Sequence, residues 1–117
     1  MGKPHQRLDV WKKSIDFVKT VYQNTGGFPA EEKFGLVSQM RRAAISIPSN
    51  ISEGAGRNNP KEFSQFLGIA QGSAAELETQ LIISRELGFL QTQVADEMMQ
   101  ELDTISKMII GLRKSLF

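Results

Sequence analysis

A proline inside a helical apolar seam is the feature that most restricts how this chain folds. Pro48 lies within RRAAISIPSNISEGAGR, Arg41 to Arg57. It has no N–H to donate, and its ring crowds the carbonyl four residues back, here that of Ala44. Yet Val37, Met40, Ala44, Ile47 and Ile51 keep a 3-4-3-4 spacing across it. The pattern predicts one helix kinked at Pro48, with two abutting helices as the alternative. Ser46, Ser49, Asn50 and Ser52 surround the bend, where their side chains can satisfy backbone groups the proline frees. Gly54 and Gly56 then stop the helix. Ser46, Pro48, Ser49, Asn50, Glu53 and Gly54 thus form a kink signature, read as structural before it is read as ligand-binding.

The rest of the chain divides into three more helical segments. The first runs from about Asp9, a candidate N-cap, to Thr25, before Gly26-Gly27. Trp11, Ile15, Val18 and Tyr22 form its seam, widened by Val10, Phe17 and Val21. The second, which carries Pro48, is expected to begin near Pro29, a residue tolerated in a first turn, with Glu31 and Glu32 favouring the positive end of its dipole. The third opens on Asn59-Pro60-Lys61-Glu62, a cap followed by a first-turn proline and a capping-box glutamate. Phe63, Leu67, Ala70, Ala74, Leu77, Leu81 and Ser84 form its seam, and Gly88 ends it. The fourth starts after Thr92, a candidate N-cap, with Met98, Leu102, Ile105, Ile109, Leu112 and Leu116 as its seam. No segment alternates with period 2, so strands are not expected. The fold class predicted is all-α: an antiparallel up-down four-helix bundle over residues 9–117, the longer helices spanning about 35–40 Å, preceded by a flexible arm of residues 1–8.

The 117 residues suit one domain, and 40% hydrophobic with 23% charged residues fits a globular chain. No apolar run reaches membrane-spanning length, and MGKPHQRLDVW lacks the apolar core of a signal peptide. Gln6 stands where a myristoylation start needs Ser or Thr. The absence of cysteine removes disulfides and thiolate chemistry and suits a cytoplasmic location. Net charge is only +1, but residues 1–42 hold eight Lys/Arg against four Asp/Glu, and residues 43–117 hold six against nine. That asymmetry fits pairing between helices or a localised basic face.

Catalytic candidates are few. His5 is the single histidine and lies in the arm, so a Ser-His-Asp arrangement and zinc ligation are disfavoured. No Glu-x-x-His pair of the di-iron bundles occurs. Neither enzyme activity, metal nor cofactor is expected. Arg41 and Arg42 project from adjoining flanks of the second helix. They suit ion pairs with Glu76, Glu78 or Glu86, or phosphate contacts joined by Arg57 and Lys61 of the neighbouring loop. Lys12, Lys13 and Lys19 read as a solvated face, with Lys12 and Lys19 also a shallow basic stripe; Trp11 reads as core or interface. Gly68, Ala70, Gly72, Ser73, Ala74 and Ala75 give the third helix a small-residue face, explained by close helix approach within the bundle or between subunits.

LDVWKKSIDFVKTVY, FPAEEKFGLVSQMRRAAISIPSNISEGAGR and EFSQFLGIAQGSAAELETQLIISRELGFL together resemble the 23S rRNA-intervening-sequence protein family, also called the four-helix bundle protein family. The resemblance covers about Leu8 to Leu90, and SQMRRAAISIPSNISEG is its most specific stretch. It implies a four-helix bundle assembling into a homopentameric ring. It also implies an origin in reading frames inside intervening sequences of bacterial large-subunit rRNA genes, although most members occur elsewhere. A related branch, accessory proteins of diversity-generating retroelements, is basic and associates with a reverse transcriptase and nucleic acid; the near-neutral charge here departs from it. No catalytic residue is implied. The expectation is a non-enzymatic homo-oligomer that contacts RNA or DNA through phosphates, using Arg41, Arg42, Arg57, Lys61 and Lys12. The alternative is an adaptor or assembly scaffold for a protein partner.

Overall fold

The computed structural model describes residues 8–117. The expected arm, His5 included, lies outside the described residues apart from Leu8. Four helices follow in order: α1 Asp9–Thr25, α2 Leu36–Ala55, α3 Pro60–Glu86 and α4 Thr92–Ser115, with a single 3-10 turn, Ala30–Glu32, before α2. No strand occurs among the described residues. Cross-helix contacts show the antiparallel sense directly. Met40 meets Ser84, Ser46 meets Ser73, and Gly54 abuts Phe63, so rising numbers on α2 meet falling numbers on α3. Arg85–Asp96 and Ser64–Arg113 show the same for α3 and α4. Each helix packs on its neighbour in the chain, and α4 closes back on α1 most thinly. The bundle measures 43 × 23 × 21 Å, and no helix is long and apolar enough to cross a membrane.

α2 runs unbroken through Pro48, so the seam belongs to one helix. Asn50 Nδ2 donates to the Ser46 carbonyl (2.8 Å) and Ser46 Oγ (3.0 Å), and Ser52 Oγ donates to the Ser49 carbonyl (2.9 Å). Ser46 Oγ also shares a 2.8 Å hydrogen bond with Ser73 Oγ on α3. The polar cluster thus ties α2 to itself and to α3. It leaves to Pro48's ring the Ala44 carbonyl, which lacks its usual N–H.

The core consists of the α2, α3 and α4 seams as expected, with Phe63, Leu112 and Leu116 at its margin. α1 departs from expectation. Its buried side is Val10, Ser14, Phe17, Val21 and Thr25, whereas Trp11, Ile15 and Val18 are half-buried and Tyr22 is exposed. The reason is local. Ser14 Oγ donates to the Trp11 carbonyl and Thr25 Oγ1 to the Val21 carbonyl, each at 2.8 Å, so these two hydroxyls enter the core already satisfied. The apolar width of α1 exceeds what the core accommodates, and the surplus faces outward.

Three boundaries are corrected. Leu8, not Asp9, occupies the N-cap position of α1. α2 begins at Leu36, because Pro29 leads only into the 3-10 turn and Gly35 then breaks helical geometry. Gln91, not Thr92, precedes the first residue of α4. Asn59 caps as expected, its Oδ1 accepting from the Glu62 N–H at 3.1 Å. At the other end of α3, Gly88 (φ +78°) closes a Schellman turn, in which Gly88 N–H bonds the Arg85 carbonyl and Phe89 N–H the Ser84 carbonyl.

Candidate nucleic-acid interface

The up-down topology sorts the basic residues to opposite ends. Arg41 and Arg42 lie in the first turns of α2, while Arg57 follows its last turn, about 20 Å further along the axis. The sequence places these arginines in one stretch; the helix between them separates them.

Arg41 serves the fold. Nε donates to Thr25 Oγ1 at 3.1 Å, Nη2 to the Tyr22 carbonyl at 3.4 Å, and the guanidinium stacks 4.3 Å from the Tyr22 ring centre. α1 has no basic residue in its own last turn, so Arg41 supplies, from α2, the cation that the negative end of that helix favours. Arg42 is exposed. It lines a cavity of about 440 Å³ with Gln39, Ser46, Ser73 and Glu76, but has no hydrogen-bond or ion-pair partner among the described residues. The expected pairing of Arg41 and Arg42 with Glu76, Glu78 or Glu86 is therefore not met within the chain. Glu86 pairs instead with Arg85, which also holds Asp96 at 2.9 Å. Those hydrogen bonds, Asp96 first, raise the Arg85 pKa above its usual value.

The opposite end gathers the other cations. It is built from the start of α1, the end of α2, the start of α3 and the end of α4. Arg57 is held by Glu53 (3.2 Å) and lies 5.2 Å from the Phe66 ring centre. That surface pair is weak enough to exchange for another anion. Lys61 occupies the first turn of α3, where a cation adds to the positive dipole end instead of offsetting it. Arg113 Nε bonds Ser64 Oγ at 3.2 Å, and Nη1 bonds Gln71 Oε1 at 2.7 Å. Lys114, the next residue, is exposed in the last turn of α4, at the same end of the bundle. Lys12 extends the same end along α1, next to Trp11, which shares a hollow with Pro48, Ser49 and Ser52. Among the described residues, Lys12, Arg57, Lys61, Arg113 and Lys114 stand here against Asp9, Glu53 and Glu62. Sequence reasoning missed Lys114, because only the return of α4 brings it to the end of the bundle where α3 starts. Glu53 and Gly54 of the kink signature act structurally here, the first on Arg57 and the second against Phe63 and Phe66. No group of three or more His, Cys, Asp or Glu among the described residues is placed to hold a metal ion.

The sequence profile of the 23S rRNA-intervening sequence protein family matches residues 6–111. The chain belongs to this family. The bundle is also similar to a crystal structure of a protein of unknown function from the S23 ribosomal protein family of Bacteroides thetaiotaomicron, with a TM-score of 0.83 and 24% identity over 90% of this chain and 95% of that one. That likeness extends to the fold. No match is found among the curated proteins.

Proposed function

We propose that this family member is a non-enzymatic, self-assembling bundle that binds nucleic acid, RNA foremost, by phosphate contact at its basic end. The observation that carries the reading is the placement of four cations at one end of the bundle: Lys12 near the start of α1, Arg57 in the loop after α2, Lys61 in the first turn of α3 and Lys114 in the last turn of α4. Arg forks and lysine ammonium groups bind phosphate without reading bases, so the interaction is expected to follow charge and shape more than sequence. A chain of net charge +1 binds weakly alone. An assembly repeats the same end several times and multiplies its avidity, and a homopentamer is the form that the family resemblance implies. The family's description ties it to rRNA intervening sequences, which makes structured RNA the first nucleic acid to test.

Fluorescence-anisotropy titration of the full chain against structured RNA and duplex DNA at low salt tests this reading. Arg57→Gln/Lys61→Gln/Lys114→Gln is expected to lose affinity by tenfold or more while keeping its helix content. Arg42→Gln, at the other end, is expected to bind as the wild type does. No binding at low salt, or equal binding by the triple variant, rejects the assignment.

A further inference from the structure

The hollow between α2 and α3 gathers polar groups that the chain leaves uncommitted. It has a volume of about 440 Å³ and is lined by Gln39, Arg42, Ala43 and Ser46 of α2 and by Ser73 and Glu76 of α3. Arg42 and Glu76 stand exposed on facing helices, and no ion pair joins them. The Arg42 fork therefore keeps its N–H donors open. Opposite charges that share a hollow without meeting leave space between them for a group that meets both.

Glu76 is only half committed. Gln80, buried at 5% exposure, donates Nε2 to Glu76 Oε1 at 3.2 Å. Glu76 Oε2 has no partner among the described residues. Gln80 Oε1 is itself a buried acceptor without a donor. A buried amide in that unbalanced state is costly, and the bond it does make holds the carboxylate at the edge of the hollow. The serines add one donor. Ser46 Oγ and Ser73 Oγ share a single hydrogen bond at 2.8 Å, and Ser46 Oγ also accepts from Asn50 Nδ2 at 3.0 Å. Whichever serine donates to the other, one hydroxyl hydrogen of the pair has no acceptor among the described residues.

We propose that this hollow binds a small zwitterion, an α-amino acid, with its carboxylate on the Arg42 fork and the surplus serine hydroxyl and its ammonium on Glu76. The charges select that class. An anion alone meets Glu76, and a cation alone meets Arg42; a ligand carrying both gains a charge-assisted hydrogen bond at each end. The volume falls within the range of small-molecule pockets. The buried Ala43 methyl gives the hollow its apolar patch, and the Gln39 amide can donate to or accept from the ligand's side chain. The site is independent of the basic end, since Arg42→Gln is expected to leave RNA binding unchanged.

Isothermal titration calorimetry on the full chain tests it. The standard L-amino acids are titrated singly at millimolar concentration into wild type, Arg42→Gln and Glu76→Gln, each checked for helix content by circular dichroism. The methyl ester and the N-acetyl form of the tightest binder follow. The expected result is one amino acid bound per chain, with each derivative binding the wild type tenfold or more weakly. Esterification is expected to cost little in Arg42→Gln, which has already lost the carboxylate contact, and N-acetylation little in Glu76→Gln, which has already lost the ammonium contact. No saturable heat with any amino acid overturns the proposal. So does binding that both substitutions leave unchanged, or derivatives that cost as much in the variants as in the wild type.

Discussion

Gly54→Ala is the sharpest test of why the signature stretch reads as it does. Helix propensity alone favours alanine by up to about 1 kcal/mol. The packing reverses that sign. A Cβ at Gly54 would lie 2.8 Å from Phe63 Cδ1, 2.8 Å from Phe66 Cβ and 3.3 Å from the Phe63 carbonyl oxygen. The Phe63 ring can rotate away, but Phe66 Cβ is fixed to the α3 backbone, so the two helices must separate where they pack most extensively. Overpacking of this kind costs about 1–3 kcal/mol. With the upper half of that range applied and the propensity gain subtracted, the net loss is about 1–2 kcal/mol, or a fall in Tm of about 4–8 °C for a domain of this size. Gly111→Ala is the matched control. It lies on the exposed side of α4, and a Cβ there would meet nothing within 4 Å, so it is expected to raise Tm by about 4 °C. Thermal melts followed by circular dichroism measure both. If Gly54→Ala also raised Tm, the close α2–α3 approach would not be the reason for the glycine.

Three further predictions follow from individual contacts. Arg41→Ala removes two hydrogen bonds and the stacking on Tyr22, and is expected to lower stability by about 1–2 kcal/mol in a urea titration, which makes it a structural variant unsuited to testing RNA binding. Asn59→Ala deletes the α3 cap and is expected to cost about 1 kcal/mol in the same assay. Arg57→Gln breaks an exposed pair with Glu53 and an exposed contact with the Phe66 ring, and is expected to change stability by no more than about 1 kcal/mol, while weakening RNA binding measured by anisotropy.

The fold was legible where one apolar stripe had no competitor. On α3 and α4 the seam residues form the core, except that Phe63, Leu112 and Leu116 at the helix ends are only half-buried and Gln80 and Ala95 join the buried set, and on α2 the seam crosses Pro48 intact. α1 was not legible in phase, because it carries two apolar stripes. The winning one includes Ser14 and Thr25, whose hydroxyls are satisfied by their own helix, and a hydropathy pattern counts them as polar. The start of α2 was misplaced because Pro29 and the two glutamates satisfy the rules for a helix start, yet they open only a 3-10 turn that Gly35 ends. At the candidate interface, residue type was legible and grouping was not. Arg41 and Arg42 read as partners of α3 glutamates or of phosphate; the partners of Arg41 are a threonine hydroxyl, a ring and a backbone carbonyl on α1, and none of these carries a charge signal. Lys114 shares an end of the bundle with Lys61 only through the antiparallel return of α4.

The salt dependence of RNA binding tests the central claim most directly. The association constant of the full chain for a structured RNA, measured by anisotropy from about 50 to 200 mM monovalent salt, is expected to fall along a straight log–log line. The slope expected is about −2 to −3 per engaged protomer, reduced by about one for each of Arg57→Gln, Lys61→Gln and Lys114→Gln. A slope near zero, or one that these substitutions leave unchanged, would contradict phosphate contact at the basic end.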